Sequence, residues 1–378
     1  MNIRDFKAGN FVTVVGYKAF VPELINKEWE IGNPAINTLL EKATRKLGEL
    51  NAFSQMIPEI DTYIQMDVTK EATTSCRIEG TRTQIDEALL HEEGAIEVEK
   101  RDDWKEVKNY IHAMNYAIER LDKLPVSSRL LKETHKILLS NVRGENKLLG
   151  EFRTIQNWIG GASLKDAVFI PPPPTEVPDL MGDLEKFIHN EEISVPHLIK
   201  IALAHYQFET IHPFLDGNGR TGRLLITLYL VSHKLLNKPT LYLSEFFEKH
   251  KTLYYDNLMN VRLKNDVVQW IKFFMVGIEE TAQKGIDTQL TILKIKDELE
   301  NRTILSLGKK IPLAKRALAF IFKRPVFTVA DIEQGLDLSK PTANAIVADF
   351  VKLGILNEHT GFKRNRLFFF DRYIDLFR

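Results

Sequence analysis

The stretch HPFLDGNGRTGR, residues 212–223, lies between two segments that have the apolar periodicity of helices. Gly217 and Gly219 allow backbone conformations that other residues resist, so that consecutive N–H groups can turn toward one point. Such a nest at the start of a helix binds anions through its N–H donors and through the helix dipole. The stretch therefore predicts a phosphate-binding loop that leads into a helix over residues 220–236.

The remaining side chains of this loop have the chemistry that phosphate transfer needs. Arg220 and Arg223 are three residues apart, so they share one helix face, and their planar forks suit phosphate oxygens. Asp216 offers a hard carboxylate oxygen for Mg²⁺. His212 ends the preceding helix, where an imidazole can take a proton from a hydroxyl nucleophile. Asn218 can either orient phosphate oxygens or help to fix the loop.

The same twelve residues resemble a known protein family. They match the signature of the Fic family, HPFx(D/E)GNGRxxR, at every defined position, and flanking features extend the resemblance over residues 30–285. The resemblance implies a mostly α-helical core that transfers AMP from ATP to a hydroxyl group of a target protein and releases pyrophosphate. We therefore expect ATP and Mg²⁺ as the nucleotide and the metal.

The resemblance also implies a role for each residue of the loop. His212 would deprotonate a Ser, Thr or Tyr hydroxyl of the target, and Asp216 would hold Mg²⁺ on the α- and β-phosphates. Arg220 and Arg223 would bind the β- and γ-phosphates. The residues expected to contact the nucleotide are Asp216, Gly217, Asn218, Gly219, Arg220, Thr221, Gly222 and Arg223. Kinase-like relatives have another residue in place of Gly219, so the glycine favours attack at the α-phosphate.

A second motif lies N-terminal to the loop, at the end of a predicted helix over residues 64–78. Ser75, Glu79 and Gly80 resemble the Fic inhibitory motif, (S/T)xxxE(G/N), in the class that has an N-terminal inhibitory helix. The resemblance implies that Glu79 pairs with Arg223 and occupies the space that the γ-phosphate needs. A solvated glutamate at a helix end is the alternative.

Residues 152–170 interrupt the helical pattern. Two extended runs on either side of Gly160-Gly161 predict a β-hairpin, which a rigid proline segment over residues 171–174 follows; a plain surface loop is the alternative. The hairpin resembles the Fic flap, which pins the backbone of the target by strand addition. By this resemblance Asn157, Trp158, Ile159 and Gly160 line the nucleotide, and Ile159 clamps the target side chain.

Two adjacent aromatic residues downstream of the loop, Tyr254 and Tyr255, are candidates for the adenine and ribose contacts, because they combine ring faces with hydroxyl groups. Family members have a tyrosine pair near this position. The alternative is that they are ordinary helix residues, one buried and one exposed.

Residues 312–378 resemble a winged helix-turn-helix unit. Thr328 is a plausible N-cap of a short helix over residues 329–336, and the expected recognition helix covers residues 339–353. Lys363, Arg364 and Arg366 occupy the expected wing tip, where they would suit phosphates. Such units bind DNA or serve as protein-interaction or dimer modules, and both roles stay open.

The predicted fold class is mainly α: a helical Fic-type core with a β-hairpin flap and a C-terminal winged helix-turn-helix domain. We expect four regions. They are an N-terminal helical region that contains the inhibitory helix (1–125), the catalytic core (126–285), a linker helix (286–311) and the winged helix (312–378).

Composition limits the other possibilities. The 378 residues carry 51 basic and 51 acidic side chains, which argues against a basic face along the whole chain. Cys76 is the single cysteine, so an intrachain disulfide is excluded, as expected in a reducing compartment. The chain shows neither a signal peptide nor an apolar stretch that could span a membrane, which predicts a cytoplasmic protein.

Three hypotheses of function follow. The first is an autoinhibited protein adenylyltransferase that modifies a target protein or itself. The second is a DNA-binding regulator whose core only senses nucleotide. The third is a variant that removes AMP or transfers another group, which the loop residues do not distinguish from AMP transfer. The target, the signal that relieves inhibition and the oligomeric state, with a homodimer as one option, are left open.

Overall fold

The structure is a computed structural model that describes residues 1–57, 59–90, 96–142, 148–360 and 366–378. Its helices are α1 (Pro34–Met56), α2 (Ile60–Ile78), α3 (Ile85–Ala88), α4 (Arg101–Arg120), α5 (Ser128–Leu138), α6 (Val177–His189), α7 (His197–Ile211), α8 (Asn218–Ser232), α9 (Ser244–Lys249), α10 (Lys251–Lys264), α11 (Val267–Asn301), α12 (Ile311–Lys323), α13 (Val329–Leu336), α14 (Lys340–Lys352) and α15 (Asp371–Ile374). Its strands are β1 (Gly9–Val14), β2 (Tyr17–Pro22), β3 (Val326–Thr328), β4 (Asn357–Glu358) and β5 (Leu367–Phe369). The protein is mainly α-helical, as predicted. None of the helices in the described ranges is long and apolar enough to cross a membrane.

Helix α7 forms the centre of the larger core. Every residue from Leu198 to Ile211 is buried, so that this helix contacts neighbours on all sides. The indole N–H of Trp270 in α11 donates to the carbonyl of Ala202 over 2.8 Å, which ties the long helix α11 to α7. The loop over residues 212–217 joins α7 to α8, and this buried helix therefore anchors one end of the loop.

The N-terminal region contains a β-hairpin that we did not predict. Strands β1 and β2 pair antiparallel around Gly16, which has a left-handed backbone conformation (φ 88°). The run GNFVTVVGYKAFVP, residues 9–22, has the aromatic and β-branched residues typical of strands on both sides of a glycine turn, so a signal was present in the sequence. The amide of Phe20 donates to the carbonyl of Ile170 over 2.9 Å and joins the hairpin to the flap.

The predicted flap hairpin, residues 152–170, is much less regular than expected. Its two arms meet in one antiparallel bridge, in which Ile159 donates to the Phe169 carbonyl over 2.9 Å and Phe169 donates back over 3.1 Å. The ladder does not continue because the following prolines have no N–H to donate. In addition, the side-chain amide of Gln156 donates a hydrogen bond to the Pro171 carbonyl over 3.0 Å. The flap is therefore a bridged loop held by side chains.

Helix α11 runs without a break through the position at which we predicted the start of a linker helix. The expected boundary between residues 285 and 286 lies inside it, and a 3₁₀ segment over Thr303–Lys310 completes the connection to α12. The apolar periodicity simply continues across the expected boundary, since the face of α11 that packs on α1 passes into the face that packs on the C-terminal unit. The division into four regions stays a prediction.

The C-terminal unit contains the two helices that we expected, α13 and α14. Helices α12, α13 and α14 are followed by β4 and β5, and β3 joins them in a three-stranded sheet of order β3-β5-β4. Thr328 caps α13, as expected, and accepts from the amide of Asp331. Arg366 is described, whereas Lys363 and Arg364 lie outside the described residues. The assignment of this unit as a winged helix-turn-helix domain stays a prediction.

Two helical glycines give a matched test of the packing. A Cβ on Gly277 of α11 would lie 2.8 Å from the Phe246 ring of α9, whereas nothing lies within 4 Å of a Cβ on Gly48 of α1. Alanine gains about 0.5–1 kcal/mol over glycine in a helix, but overpacking costs about 1–3 kcal/mol. We expect Gly48→Ala to raise the free energy of unfolding in urea and Gly277→Ala to lower it. A similar gain for both variants would contradict the packing around α9.

Candidate functional site

The loop between α7 and α8 turns sharply at both ends. His212 ends α7 in a left-handed conformation (φ 50°, ψ 60°), and Gly217 adopts the same region (φ 72°, ψ 9°) before α8 begins at Asn218. Helix α8 therefore starts two residues earlier than predicted. The Asn218 side chain accepts from the Phe214 amide and donates to the Phe214 carbonyl, both over 2.8 Å, which closes the loop. Of the two roles predicted for Asn218, the structure shows the one that fixes the loop.

The first turn of α8 begins directly after the loop, at Asn218. The amides at the start of a helix have no acceptor inside the helix, and the helix dipole adds positive potential there. Thr221 is buried and donates its hydroxyl to the Gly217 carbonyl over 2.8 Å, so its side chain supports the turn from inside. Gly222 is packed tightly, because a Cβ there would lie 2.3 Å from a carboxylate oxygen of Glu209. The turn is thus held firmly in place, and its first amides are the candidate anion cradle.

His212 is placed as an uncharged base. Its backbone carbonyl accepts hydrogen bonds from Nε of Arg153 over 2.9 Å and from the side-chain Nδ2 of Asn157 over 3.2 Å, which fixes the backbone of the residue. Its ring atom Nδ1 is buried and has no hydrogen-bond partner. Burial, together with the charges of Arg262 and Arg153, lowers the pKa of His212 to about 3, against the opposing effect of Glu79. The imidazole is therefore neutral at physiological pH and able to accept a proton.

The two loop arginines point to different partners. Arg220 forms a buried ion pair of 3.0 Å with Glu106 of α4, and its Nη2 lies 3.6 Å from Asp216. Arg223 donates from Nε to the Ser75 hydroxyl over 2.8 Å and from Nη2 to the Ser75 carbonyl over 2.9 Å. The spacing in sequence correctly placed both on α8, but the two guanidinium groups are divided between α4 and α2.

Glu79 lies at the mouth of the anion cradle. Its Oε1 accepts from Nη2 of Arg223 over 2.6 Å, so the predicted pair is present. The same oxygen would lie 2.3 Å from a Cβ on Gly219, which shows how closely the carboxylate approaches the start of α8. Burial alone would raise the pKa of Glu79, but the charge of Arg223 and its hydrogen bond outweigh this and lower it. The Glu79 side chain is 35% exposed and thus remains open to the solvent side of the site.

The predicted flap residues separate into two groups. Asn157 is buried and donates to the Phe214 carbonyl over 2.8 Å, so it supports the loop from behind. Trp158 is 38% exposed, and Ile159 is half-buried in the bridge to Phe169. Gly160 has a left-handed conformation and packs against Val168. Only Trp158 and Ile159 keep side-chain surface that could meet a ligand or a target.

The tyrosine pair has one buried and one exposed member. Tyr254 is buried, and its hydroxyl pairs with Nε2 of His205 over 2.9 Å. Nδ1 of His205 lies 2.9 Å from the Gly222 carbonyl, which can only accept, so the proton is on Nδ1 and the Tyr254 hydroxyl donates to Nε2. Tyr255 is 40% exposed and lies beside Tyr254, with ring centroids 5.2 Å apart. Tyr254 therefore contacts α8 through His205, and Tyr255 is the member of the pair with an exposed ring.

Sequence reasoning missed several residues that hold this site. Nδ1 of His135 accepts from the Gly150 amide over 3.1 Å, so its Nε2–H donates to the Asp216 carbonyl over 2.9 Å, and its ring stacks on Phe214. Arg153 and Glu106 are the other two, and both contact the loop from distant parts of the chain. No local pattern marks these residues, because their partners are 59 to 114 positions away.

The comparisons with known proteins agree with this geometry. The model of the Fic/DOC family N-terminal region matches residues 37–119, and the model of the Fic/DOC family matches residues 125–230. A protein adenylyltransferase Fic of Drosophila erecta is 28% identical over 205 residues, which are 54% of this chain and 37% of that protein. The protein of the same name from Drosophila willistoni is 28% identical over 264 residues, or 68% of this chain and 49% of the relative. The chain thus spans about half the length of these relatives or less.

Solved structures show the same fold. A Fic family protein from Desulfovibrio desulfuricans has a TM-score of 0.58 and 21% identity over 91% of this chain and 98% of that one. A Fic domain containing signaling protein from Bacteroides thetaiotaomicron has a TM-score of 0.53 and 20% identity over 67% and 95%. Together the two family models match half of the chain. The chain therefore belongs to the Fic/DOC family, and its mainly helical fold agrees with these solved structures.

Buried histidines around the loop make stability depend on pH. Burial lowers the pKa of His135 to about 4 and that of His205 and His212 to about 3. In the unfolded chain a histidine has a pKa of about 6.5, so as the pH falls the unfolded state binds protons before the folded state does. The free energy of unfolding is therefore highest above about pH 6.5. Between about pH 6.5 and pH 4 each of these histidines lowers it by about 1.4 kcal/mol per pH unit. We expect His205→Gln to flatten this slope in urea unfolding, and the exposed His112→Asn to leave it unchanged. An unaltered slope in His205→Gln would contradict the neutral buried state.

Proposed function

We propose that this protein is an autoinhibited, Mg²⁺-dependent protein adenylyltransferase that transfers AMP from ATP to a Ser, Thr or Tyr hydroxyl of a target protein or of the chain itself. One observation carries the proposal: a neutral base, His212, stands at the mouth of an anion cradle whose Arg223 is held by Glu79. The names of the relatives, protein adenylyltransferase Fic, support this activity.

In the proposed reaction the nucleotide phosphates lie on the first-turn amides of α8. Nε2 of His212 accepts the proton of the target hydroxyl while the hydroxyl oxygen forms a bond to the α-phosphorus. The bond between the α-phosphorus and the oxygen that bridges to the β-phosphate breaks, and pyrophosphate leaves with that electron pair. Arg223, once free of Glu79, stabilises the charge on the terminal phosphates.

The residues present fit a Mg²⁺ ion. The Asp216 carboxylate is one third exposed, at 33%, and lies beside the cradle on the loop that His135 supports. Mg²⁺ in nucleotide sites is held by one or two carboxylates together with phosphate oxygens and waters, so a single carboxylate is sufficient. Asp216 would hold the ion, and the ion would neutralise charge on the phosphates when bound.

Inhibition follows from the position of Glu79. A carboxylate 2.6 Å from Arg223 takes the guanidinium that the γ-phosphate requires, and it places a negative charge where another would have to bind. ATP can then bind only in a pose that does not present the α-phosphorus to His212. Movement of α2 by a few ångströms would withdraw Glu79 and free Arg223.

The outer regions have proposed roles in recognition. The flap would receive an extended segment of the target, with Trp158 and Ile159 as its contacts, and Tyr255 would face the adenine or ribose. Residues 312–378 would form a winged helix-turn-helix unit that binds a protein partner or a second copy. DNA is the less favoured partner, because α14 offers few base-reading side chains beyond Lys340, Thr342 and Asn344.

The proposal is tested by incorporation of label from α-³²P-ATP, with Mg²⁺, into the purified protein and a cell lysate. Glu79→Gly should raise incorporation at least tenfold, an effect of about 1.4 kcal/mol. Adding His212→Ala to that variant should reduce the rate by about 10²–10⁴, the usual contribution of a general base. Glu97→Gly, which removes an exposed glutamate elsewhere, serves as the matched control and should behave like the wild type.

The possible outcomes separate the hypotheses. Label that depends on Glu79 and His212 as described would support AMP transfer. Release of AMP from a pre-modified target, without incorporation, would favour AMP removal. If no variant incorporates label from α- or γ-labelled ATP, the enzyme hypothesis is wrong and a nucleotide-sensing regulator becomes the better account.

A further inference from the structure

Two buried arginines cap the C-terminal end of α7, next to His212. Arg153 is 2% exposed and donates from Nε to the His212 carbonyl over 2.9 Å and from Nη2 to the Ile211 carbonyl over 3.3 Å. Arg262 is 6% exposed and donates from Nη2 to the Glu209 carbonyl over 3.0 Å. The last carbonyls of a helix have no partner within it, and the helix dipole is negative there, so two cations suit this position.

The same two guanidinium groups also hold the flap. Nη2 of Arg153 donates to the Pro172 carbonyl over 2.6 Å, directly after the flap. The guanidinium of Arg262 lies 3.9 Å from the ring centroid of Phe169, which forms the flap bridge with Ile159. Arg262 therefore joins the base segment to the flap. Arg153, which lies at the start of the flap, joins the base segment to the proline segment that follows the flap.

The two cations are buried against backbone carbonyls, the Thr210 hydroxyl and the Phe169 ring. Because burial of a charge costs free energy of folding, this arrangement argues for a role beyond stability. We propose that Arg153 and Arg262 form an arginine clamp, a pair of positioning residues that holds the base and the flap in one fixed register. This inference rests on the proposed function. The charges that face His212 are Arg153, Arg262 and Glu79, so the clamp also favours an uncharged imidazole.

The test uses Arg153→Lys, Arg153→Met and Arg262→Met in the Glu79→Gly protein. The methionine variants should lose at least about tenfold in kcat, while KM for ATP changes less than about threefold, since neither arginine touches the cradle. Arg153→Lys, which keeps the charge, should retain more kcat than Arg153→Met. Arg129→Met, at an arginine whose side chain is 69% exposed, is the matched control.

Unchanged kcat in folded variants, or a loss that only follows the unfolded fraction, would overturn this proposal. If Glu79→Gly shows no transfer, the proposed function fails, but the clamp can still be tested by NMR of histidine-labelled protein. The His212 ring should then protonate at higher pH in Arg153→Met than in the wild type, and an unshifted titration would contradict the clamp.

A second, independent observation concerns the opposite face of α2. Tyr63 and Met66 belong to the hydrophobic core of the C-terminal unit. The Tyr63 ring packs edge-on against Phe322, with centroids 5.9 Å apart, and against Tyr373 at 6.4 Å. One face of α2 thus carries Glu79 to the loop, while the other is covered by the C-terminal unit.

The contact between α2 and the C-terminal unit has polar gaps. The Tyr373 hydroxyl is buried without a hydrogen-bond partner, and burial raises the pKa of nearby Asp67 to about 7. A crevice of about 240 Å³ separates α2 from the chain end and is lined by Lys70, Arg77 and Phe377. At its rim Arg378 pairs with Asp86 over 3.0 Å. Such a contact is easier to open than a closed apolar core.

We infer that the C-terminal unit holds α2 in its inhibitory position, and that displacement of this unit releases AMP transfer. The inference rests on the proposed function. Its effect should pass through Glu79, because α2 reaches the loop through Glu79 and Ser75.

The test compares Tyr63→Ala and Asp86→Ala with and without Glu79→Gly in the full-length chain. Tyr63→Ala should raise incorporation of α-³²P label about tenfold when Glu79 is present, and Asp86→Ala about twofold to fivefold, as expected for an exposed ion pair. Neither should raise it further in Glu79→Gly. Gln65→Ala, at an exposed position of α2, is the control. Asp86→Ala tests the same contact if Tyr63→Ala does not fold, because it removes only the exposed ion pair with Arg378.

No activation by either variant, or equal activation in the Glu79→Gly protein, would overturn the inference. If Glu79→Gly itself is inactive, hydrogen exchange provides the test. The backbone amides of α2 should exchange faster in Tyr63→Ala than in the wild type, and unchanged exchange would contradict the inference that the C-terminal unit holds α2.

Discussion

The ion pair between Glu79 and Arg223 is the interaction on which the proposed function depends. It joins the end of α2 to the second turn of α8 over 2.6 Å, and a hydrogen bond of 2.8 Å from Arg223 to the Ser75 hydroxyl supports it. Because Arg223 is buried and Glu79 is partly exposed, the carboxylate is the member that can leave. In the proposed function, withdrawal of this one side chain would open the cradle without rearrangement of the core.

The loop between α7 and α8 keeps its shape because hydrogen bonds hold the backbone carbonyls of His212 and Asp216. His212 has a left-handed conformation that is uncommon for a residue with a side chain, and Arg153 and Asn157 hold its carbonyl. His135 fixes the carbonyl of Asp216 on the other side. These hydrogen bonds come from His135 in α5 and from Arg153 and Asn157 in the flap, so both the helical core and the flap position His212.

The parts of the site that are local in sequence could be predicted, and those that depend on distant contacts could not. The position of His212 at the end of α7 and the capping of α13 by Thr328 follow from patterns within a few residues, and the resemblance of the motif around Glu79 implied its pairing with Arg223. The bond of Arg153 to His212 and the pair of Arg220 with Glu106 join segments 59 and 114 residues apart, and no pattern records them. The flap was predicted too regular because side chains replace its backbone ladder.

The affinity of the cradle for ATP relative to ADP tests the central claim most directly. It can be measured by calorimetry with Mg²⁺ on two proteins that both carry His212→Ala, one with Glu79 and one with glycine in its place. If Glu79 holds the contact that the γ-phosphate needs, the two nucleotides should bind almost equally with Glu79 present. The preference for ATP should then rise at least about tenfold once Glu79 is removed. An ATP to ADP ratio that is the same in both proteins would contradict the account.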